Sequence, residues 1–262
     1  MKPIDGLAHI ARDAVHIGAE LVRTATPHEV MDKGDRDIVT DVDVKVEQEI
    51  RAYLGRATPE FGFLGEEQGQ TGNDKYVWTL DPIDGTSNFA HGLPLCAVSL
   101  ALVHAGQPIV AQITAPFLDL RYSAVRGEGA FVNGNRIRAS RVSDLTKAIV
   151  SIGDYAVGTD AEAKNQQRLR LTTLLAERVE RVRMFGSAAL DLAWVAEGRT
   201  DAAVILANKP WDTAAGVLLA REAGALVMDR SGEPHTFQSP DTIATCPGIA
   251  DAVVSLVQAA YC

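Results

Sequence analysis

The sequence predicts an α/β (α+β) fold, and two patterns support this prediction. Between residues 95 and 137, short apolar runs separated by turns that contain Gly indicate antiparallel strands. After residue 140, apolar runs alternate with segments of helical periodicity, which is typical of a sheet covered by helices. We therefore expect an N-terminal α+β half, residues 1–140, and a C-terminal α/β half, residues 141–262, in one compact unit.

The composition excludes several classes of protein. The 262 residues are 47% hydrophobic and 23% charged, a balance that is typical of globular proteins. A net charge of −9 without a long basic run argues against nucleic-acid binding. The three cysteines are too few and too widely spaced for a disulfide framework. The chain begins with an amphipathic segment and contains no apolar run of membrane-spanning length, so we expect a cytoplasmic location and no membrane association.

The first elements are a helix, a loop and a second helix. Apolar residues recur at helical spacing from Ile4 to Thr24, and a charged, Gly-containing loop with Lys33 follows over residues 26–36. The segment DIVTDVD then leads into a helix over residues 44–54, with Thr40 or Asp41 as its N-cap. Asp43 lies in the first turn, where both a capping role and a catalytic role are compatible with the sequence.

Two apolar strands then end in carboxylates. Residues 61–65 run into Glu66 and Glu67, a pair that in most proteins is simply solvated. Residues 76–80 run into Asp81, and Asp84 follows across a turn. Pro82 keeps Asp81 extended because it disfavours the helical conformation in the preceding residue.

The segment after Asp84 predicts a helix start. Gly85 permits a backbone that other residues would strain, and Thr86 and Ser87 are good N-caps for a short helix. The free N–H groups at such a start attract anions such as phosphate. Asp, Pro and Gly are also ordinary turn residues, so this segment alone is equally compatible with a plain turn.

The second half alternates strands and helices. Strands are predicted over residues 148–152, 179–184, 201–206, 226–228 and 242–245, and helices over residues 162–177, 187–197, 211–223 and 250–260. Ser187 and Ala188 begin one of these helices with free N–H groups. Asp212 begins another, where by itself it is best explained as an N-cap.

Three motifs together resemble the inositol monophosphatase family. These are GEEQ at residues 65–68, DPIDGTSNF at residues 81–89 and WDTAAGVLLAREAGALVMD at residues 211–229, in the family's order and approximate spacing. The resemblance implies a magnesium-dependent, lithium-sensitive phosphomonoesterase that forms homodimers. It also implies the layered αβαβα sandwich of the inositol monophosphatase and fructose-1,6-bisphosphatase type.

The resemblance also implies roles for individual residues. The metal ligands would be Glu66, Asp81, the carbonyl of Ile83, Asp84 and Asp212. Catalysis would use Glu66 together with Asp43 and Thr86, which help to activate the attacking water. Phosphate and substrate would lie against Asp84, Gly85, Thr86, Ser87, Ser187, Ala188 and Asp212, with Lys33 as a loop lysine near the site.

The chemistry of these residues supports a cation site independently. Two carboxylates about 4 Å apart repel each other by about 1 kcal/mol in water and about 4 kcal/mol at an effective dielectric of 20. A cluster of four therefore requires bound cations, and ligands that are all oxygen favour Mg²⁺, or Mn²⁺ as a substitute, over zinc.

The substrate is expected to be a small phosphorylated polyol or sugar, with inositol-1-phosphate as the first choice. Inositol-selective members of the family have an acidic residue where this chain has Ile205, and Asn208 and Lys209 are the polar residues nearby. Lys209 could accommodate a second anionic group. Fructose-1,6-bisphosphate and histidinol phosphate are therefore alternative substrates, and a regulatory protein that binds macromolecules, with incidental hydrolysis, is an alternative of another class.

Overall fold

Five layers alternate between helices and sheets in the part of the chain that the structure covers. The computed structural model describes residues 4–27, 29–34 and 37–261, and for residues 32, 33 and 37 only the backbone. Its α-helices are α1 (Ile4–Thr24), α2 (Asp41–Ala57), α3 (Thr86–Ala90), α4 (Ala161–Ala176), α5 (Ala188–Glu197), α6 (Pro210–Glu222) and α7 (Ala250–Tyr261). None of these helices is both long enough and apolar enough to cross a membrane.

The larger sheet has eight strands in the order β10-β9-β8-β7-β6-β5-β3-β4. These are β3 (Gly62–Gly65), β4 (Gly69–Thr71), β5 (Tyr76–Asp84), β6 (Ala97–His104), β7 (Gln107–Ala115), β8 (Leu120–Val125), β9 (Gly129–Val132) and β10 (Asn135–Arg136). Apart from the parallel pair β3 and β5, neighbouring strands in this sheet run antiparallel. Helices α1 and α2 cover one face around the buried Trp78 and Leu100. The two helices approach closely at Gly18, where an added Cβ would lie only 2.8 Å from the Ile50 side chain.

Helices α5 and α6 form the middle layer, and their two faces belong to different cores. Ala189, Leu190 and Ala215 pack with strands of the larger sheet, whereas Leu192 and Val217 pack with the smaller sheet. Both helices lie after residue 140 in the chain but share a core with strands that lie before it. The division of the chain at residue 140 therefore stays a prediction.

The smaller sheet has five strands in the order β12-β11-β13-β15-β14. These are β11 (Ile149–Ile152), β12 (Arg181–Arg183), β13 (Ala202–Leu206), β14 (Leu226–Met228) and β15 (Asp241–Thr245). Strand β11 pairs in parallel with β12 and β13, while β15 runs antiparallel to β13 and β14. Helices α4 and α7 close the outer face of this sheet around Leu171 and Val253.

The predicted elements are confirmed in most places and wrong in four. The predicted loop over residues 26–36 contains strand β1 (Val30–Gly34). This strand forms a two-stranded sheet with β2 (Asp37–Thr40), and its sequence lacks the alternation of apolar and polar residues that marks a strand. The segment between Glu67 and Lys75, for which no strand is predicted, contains the short strand β4. Strand β5 continues through Pro82 to Asp84 instead of ending at Asp81. Helix α3 is preceded by Gly85 as N-cap, not by Thr86 or Ser87, since the left-handed Gly85 starts the turn.

Candidate active site

The site is built around a bulge in strand β5. Asp81 pairs with Ser99 and Asp84 pairs with Ala97, so β5 has one residue more than β6 between these pairs. A bulge tolerates Pro82, which has no N–H for the sheet, and it re-aims the side chains around it. As a result both Asp81 and Asp84 line the same cavity although they are three residues apart.

This cavity has a volume of about 390 Å³, and its lining includes the first residues of helices α3 and α5. Most of the residues that the sequence predicted for the site line this cavity. Four carboxylates line it: Glu66, Asp81, Asp84 and Asp212. It is also lined by Ile83, Gly85, Thr86, Ser87, Ser187 and Ala188.

Gly85 allows helix α3 to begin directly beside helix α5. Its φ of 88° lies in the left-handed region, which favours glycine. An added Cβ would lie 2.8 Å from the carbonyl oxygen of Leu95 and 3.0 Å from that of Gly186. The backbone therefore leaves no room for a side chain where the first turn of α3 meets the cavity.

Asp84 is bound by the first turn of helix α5. Its carboxylate accepts hydrogen bonds from the N–H groups of Ala188 and Ala189, at 3.1 Å and 3.0 Å, and from the Ser187 hydroxyl. Ser187, predicted as the first residue of this helix, is its N-cap and also accepts from Leu190 N–H. Burial raises the pKa of Asp84 to about 7 although these hydrogen bonds lower it. The helix start thus stabilises an anion at the cavity wall.

Thr86 connects the cavity to the buried Asp43. The Thr86 hydroxyl lies 3.0 Å from Asp43 Oδ1 and 2.9 Å from the carbonyl oxygen of Ile83. Asp43 Oδ2 accepts from the N–H and the hydroxyl of Thr40, which caps helix α2 in a capping box. Burial raises the pKa of Asp43, and the hydrogen bonds from Thr40 and Thr86 lower it. Asp43 therefore takes part in capping helix α2 and also accepts a hydrogen bond from Thr86, while its catalytic role stays a prediction.

The carboxylates of the cavity fit a hard divalent cation. Asp81 is buried, and its Oδ1 has no hydrogen-bond partner among the described residues. Burial raises the pKa of Asp81 well above its usual range, and repulsion from Glu66, Asp84 and Asp212 raises it further. A cation bound by carboxylate oxygens would relieve both effects, and oxygen ligands suit Mg²⁺. As the side chains stand, no three His, Cys, Asp or Glu residues of the described part are grouped tightly enough to enclose a metal ion.

Glu47 holds the turn that carries Glu66, and sequence reasoning missed it. Its buried carboxylate accepts from the N–H groups of Glu67 and Gln68, both at 2.9 Å, and pairs with Arg51 at 3.1 Å. Gly65 makes room for it, because a Cβ there would lie 2.4 Å from the Glu47 carboxylate. The only sign of this role in the sequence is the position of Glu47, an acidic residue on the apolar face of α2.

Four other predicted positions differ from expectation. Asp212 is not the N-cap of α6; it lies at the third helical position, and its carboxylate accepts the Lys209 N–H at 2.7 Å. Lys209 itself is exposed and does not line the cavity. Asn208 accepts from Thr242 rather than facing the site. Lys33 lies in β1, and its side chain is outside the part that the structure describes.

The cavity is also lined by residues outside the three motifs. They come from the segment after β11 and from helices α4 and α5: Gly153, Asp154, Tyr155, Val157, Arg168 and Asp191. Ile205 lies there as well, at the end of β13. Arg168 is held by the carbonyl oxygens of Asp154 and Leu206, so its guanidinium ties α4 to the cavity rim.

Comparison with known proteins identifies the family of this chain. The sequence model of the inositol monophosphatase family matches residues 4–260. An inositol-1-monophosphatase of Mesorhizobium japonicum is 40% identical over 86% of this chain and 85% of that protein. A protein of Xylella fastidiosa named Nus factor SuhB is 39% identical over 88% of this chain and 83% of its own length. The solved structure of a Thermotoga maritima IMPase covers 100% of this chain and 98% of its own, with a TM-score of 0.87 and 33% identity. The chain therefore belongs to the inositol monophosphatase family, has that family's fold and is a phosphoric monoester hydrolase.

Proposed function

We propose that this protein catalyses the magnesium-dependent hydrolysis of a small phosphate monoester, with inositol-1-phosphate as the substrate. The observation that carries the proposal is the convergence of Glu66, Asp81, Asp84 and Asp212 on one cavity. Glu66 lies in the turn after β3, Asp81 and Asp84 lie in β5, and Asp212 lies in α6. The cavity that they line also includes the starts of α3 and α5. Carboxylates that suit cations and N–H groups that suit phosphate are the two requirements of a phosphoryl-transfer site.

In this proposal the four carboxylates and the carbonyl oxygen of Ile83 hold Mg²⁺. The family is metal-dependent, and a bound divalent cation activates water for attack and stabilises charge on phosphoryl oxygens. The buried, unpartnered Oδ1 of Asp81 supports its assignment as a ligand. Lithium would then inhibit by competing for the same oxygen atoms.

Thr86 and Asp43 orient the proton transfer. The Thr86 hydroxyl has one proton and two acceptors within 3.0 Å, Asp43 Oδ1 and the carbonyl oxygen of Ile83. While the hydroxyl donates to either acceptor, its oxygen remains able to accept a hydrogen bond from a water in the cavity. Glu66 lies on the same cavity wall and is the second group that could accept a proton from that water.

The phosphate would lie against the start of helix α3, because the first N–H groups of α5, those of Ala188 and Ala189, already donate to Asp84. The first N–H groups of a helix have no partner within the helix and favour anions. Gly85, Thr86 and Ser87 line the cavity, as do Ser187 and Ala188. Because Gly85 has no side chain, a phosphate oxygen can approach the backbone closely there.

A substrate panel tests the activity, the metal and the specificity together. We expect hydrolysis of inositol-1-phosphate with Mg²⁺, weaker hydrolysis with Mn²⁺ and none after removal of divalent cations by EDTA. Fructose-1,6-bisphosphate and histidinol phosphate are the rival substrates, and kcat/KM should be measured for all three. If inositol-1-phosphate trails another ester by orders of magnitude, the substrate assignment is wrong while the phosphatase assignment stands.

A second candidate function is the binding of a macromolecule, with hydrolysis incidental. It is favoured by one observation, the relative that is named Nus factor SuhB. The net charge of −9 argues against direct binding of nucleic acid. Co-purification of RNA or RNA polymerase, together with negligible turnover of every ester in the panel, would favour this candidate. A homodimer is proposed in either case, and sedimentation velocity would test it.

A further inference from the structure

Asp191 is a buried carboxylate of the cavity that the proposed reaction does not use. It lies one turn into helix α5 and is only 2% exposed. It lines the same cavity as Ile205 and the four carboxylates Glu66, Asp81, Asp84 and Asp212. In the proposed function those four carboxylates hold the cation, so the alcohol portion of a substrate is the group left for Asp191 to contact.

One oxygen of Asp191 lacks a partner. The side chain interacts with the Ser151 hydroxyl, but Oδ1 has no hydrogen-bond partner among the described residues. Buried polar atoms in folded proteins almost always have a hydrogen-bond partner, because a buried atom without one has lost the hydrogen bonds that it made to water in the unfolded chain. Within the cavity only Asp81 Oδ1 shares this condition among the described atoms, and the proposed cation accounts for it.

The charged groups around Asp191 do not compensate for the burial of its carboxylate. The charged groups that act on it, Asp84 and Asp154, both raise its pKa further. Arg168, a cation of the same cavity, is held by backbone carbonyl oxygens and forms no ion pair with Asp191 in the described structure. Burial raises the pKa of Asp191 well above its usual range. A hydrogen-bond donor that enters the cavity would supply what the protein does not.

We propose that Asp191 binds a hydrogen-bond donor on the alcohol portion of the substrate and thereby selects which phosphate ester is hydrolysed. This proposal rests on the proposed phosphatase function and names its specificity residue. The donor is a hydroxyl in a polyol phosphate or an ammonium group in an amino-alcohol phosphate. Ile205, which lines the same cavity, is apolar and supplies no competing polar contact.

The experiment compares Asp191→Ala with the wild-type enzyme on three esters in the presence of Mg²⁺. Inositol-1-phosphate presents hydroxyl groups, histidinol phosphate presents an ammonium group, and p-nitrophenyl phosphate presents no donor. We expect kcat/KM to fall by about 10- to 100-fold for a donor-bearing ester and to remain within about threefold of the wild-type value for p-nitrophenyl phosphate. Loss with inositol-1-phosphate identifies the hydroxyl, and loss with histidinol phosphate identifies the ammonium group.

Two further variants separate recognition from structure. Asp191→Asn keeps a carbonyl oxygen, so it should restore much of the activity on a hydroxyl-bearing ester but not on an ammonium-bearing one. Thr245→Val is the matched control, because Thr245 Oγ1 is equally buried and unpartnered but lies outside the cavity. It should change all three esters alike. Thermal melts establish that each variant is folded.

The proposal is overturned if Asp191→Ala lowers turnover of all three esters equally, which a purely structural role would produce. It is also overturned if neither donor-bearing ester is affected. Failure of the proposed function looks different, since the wild-type enzyme would then hydrolyse none of the three esters.

Discussion

The hydroxyl of Thr86 lies 3.0 Å from Oδ1 of Asp43 and joins the start of helix α3 to the first turn of helix α2. The two residues are 43 positions apart in the chain. Asp43 is completely buried, so Thr86 is its connection to the cavity. A buried carboxylate that orients a hydroxyl is a common arrangement for proton transfer.

The Thr86 hydroxyl should be essential for turnover. We expect Thr86→Val to lower kcat by about 10²- to 10⁴-fold, the usual contribution of a positioned proton-transfer group. Thr86→Ser keeps the hydroxyl and should retain most of the activity. Steady-state kinetics on one ester at saturating Mg²⁺ provide the measurement, and a Thr86→Val enzyme with nearly normal kcat would remove this residue from the mechanism.

The carboxylate of Asp212 should couple metal binding to stability. A cation at 100 times its Kd stabilises a folded protein by about 2.7 kcal/mol, so Mg²⁺ should raise the Tm of the wild-type enzyme. Asp212→Asn should lose the phosphatase activity and most of this Mg²⁺-dependent rise, while its Tm in EDTA stays close to that of the wild type. Differential scanning fluorimetry with and without Mg²⁺ gives the comparison. Nearly normal turnover in this variant would refute the ligand assignment.

Asp84 is a less suitable position for that test. Asp84→Asn should also lose activity, but its carboxylate accepts two N–H groups and one hydroxyl of the α5 start. An amide has one acceptor oxygen instead of two, so this variant should also lower the Tm in EDTA.

Gly85 should tolerate no side chain, for two separable reasons. At Gly92, with a φ of 72° and open space around it, Gly92→Ala reports the backbone strain alone, which is about 1–2 kcal/mol. Gly85→Ala adds close contacts with the carbonyl oxygens of Leu95 and Gly186, which should cost a further ~1–3 kcal/mol. Urea denaturation of both variants measures the difference. Equal destabilisation would mean that the α3 start can move away from α5.

His235 should make the enzyme less stable in mild acid. Burial, together with nearby Arg221, lowers the pKa of His235 from 6.5 to about 4. The unfolded chain therefore binds a proton at pH 5 that the folded chain does not bind, and stability falls as the pH drops from about 6.5 towards 4. The loss reaches at most about 3 kcal/mol, since one pKa unit corresponds to about 1.4 kcal/mol.

The measurement for His235 is the free energy of unfolding at pH 7 and pH 5. His235→Gln keeps a polar side chain beside Thr242, whose hydroxyl lies 2.9 Å from His235 Nε2. Its stability should change less between the two pH values than that of the wild type. An identical change in both proteins would assign the effect to other groups.

Much of the fold follows from local patterns. Helix α1 and strand β14 have the predicted bounds, because helical periodicity or a short apolar run marks both of their ends. Strands β1 and β2 could not be predicted, since they form a separate two-stranded sheet and β1 leaves Val30 and Met31 exposed. Strand β5 extends further than predicted because the sheet tolerates Pro82 in a bulge.

The site was predictable where one motif carries its residues. The DPIDGT segment places Asp81, Asp84 and Thr86 together, and the family resemblance added Glu66 and Asp212 from elsewhere in the chain. Glu47 and Asp191 could not be recognised in this way, because each is a single acid on a helix whose importance arises from tertiary contacts. The turn that Glu47 contacts, and the cavity in which Oδ1 of Asp191 lacks a partner, exist only after folding.

The hydrogen bonds between Asp84 and the start of helix α5 determine when the cavity can form during synthesis of the chain. Asp84 leaves the ribosome more than one hundred residues before Ala188 and Ala189, the residues whose N–H groups bind it. Asp212 follows later still, so a nascent chain carries most of an acidic cluster without the partners that stabilise it. Pairing over such long separations in sequence forms slowly and late. The cavity is therefore completed only after residue 212 has been synthesised, and we expect partly synthesised chains to lack the proposed phosphatase activity.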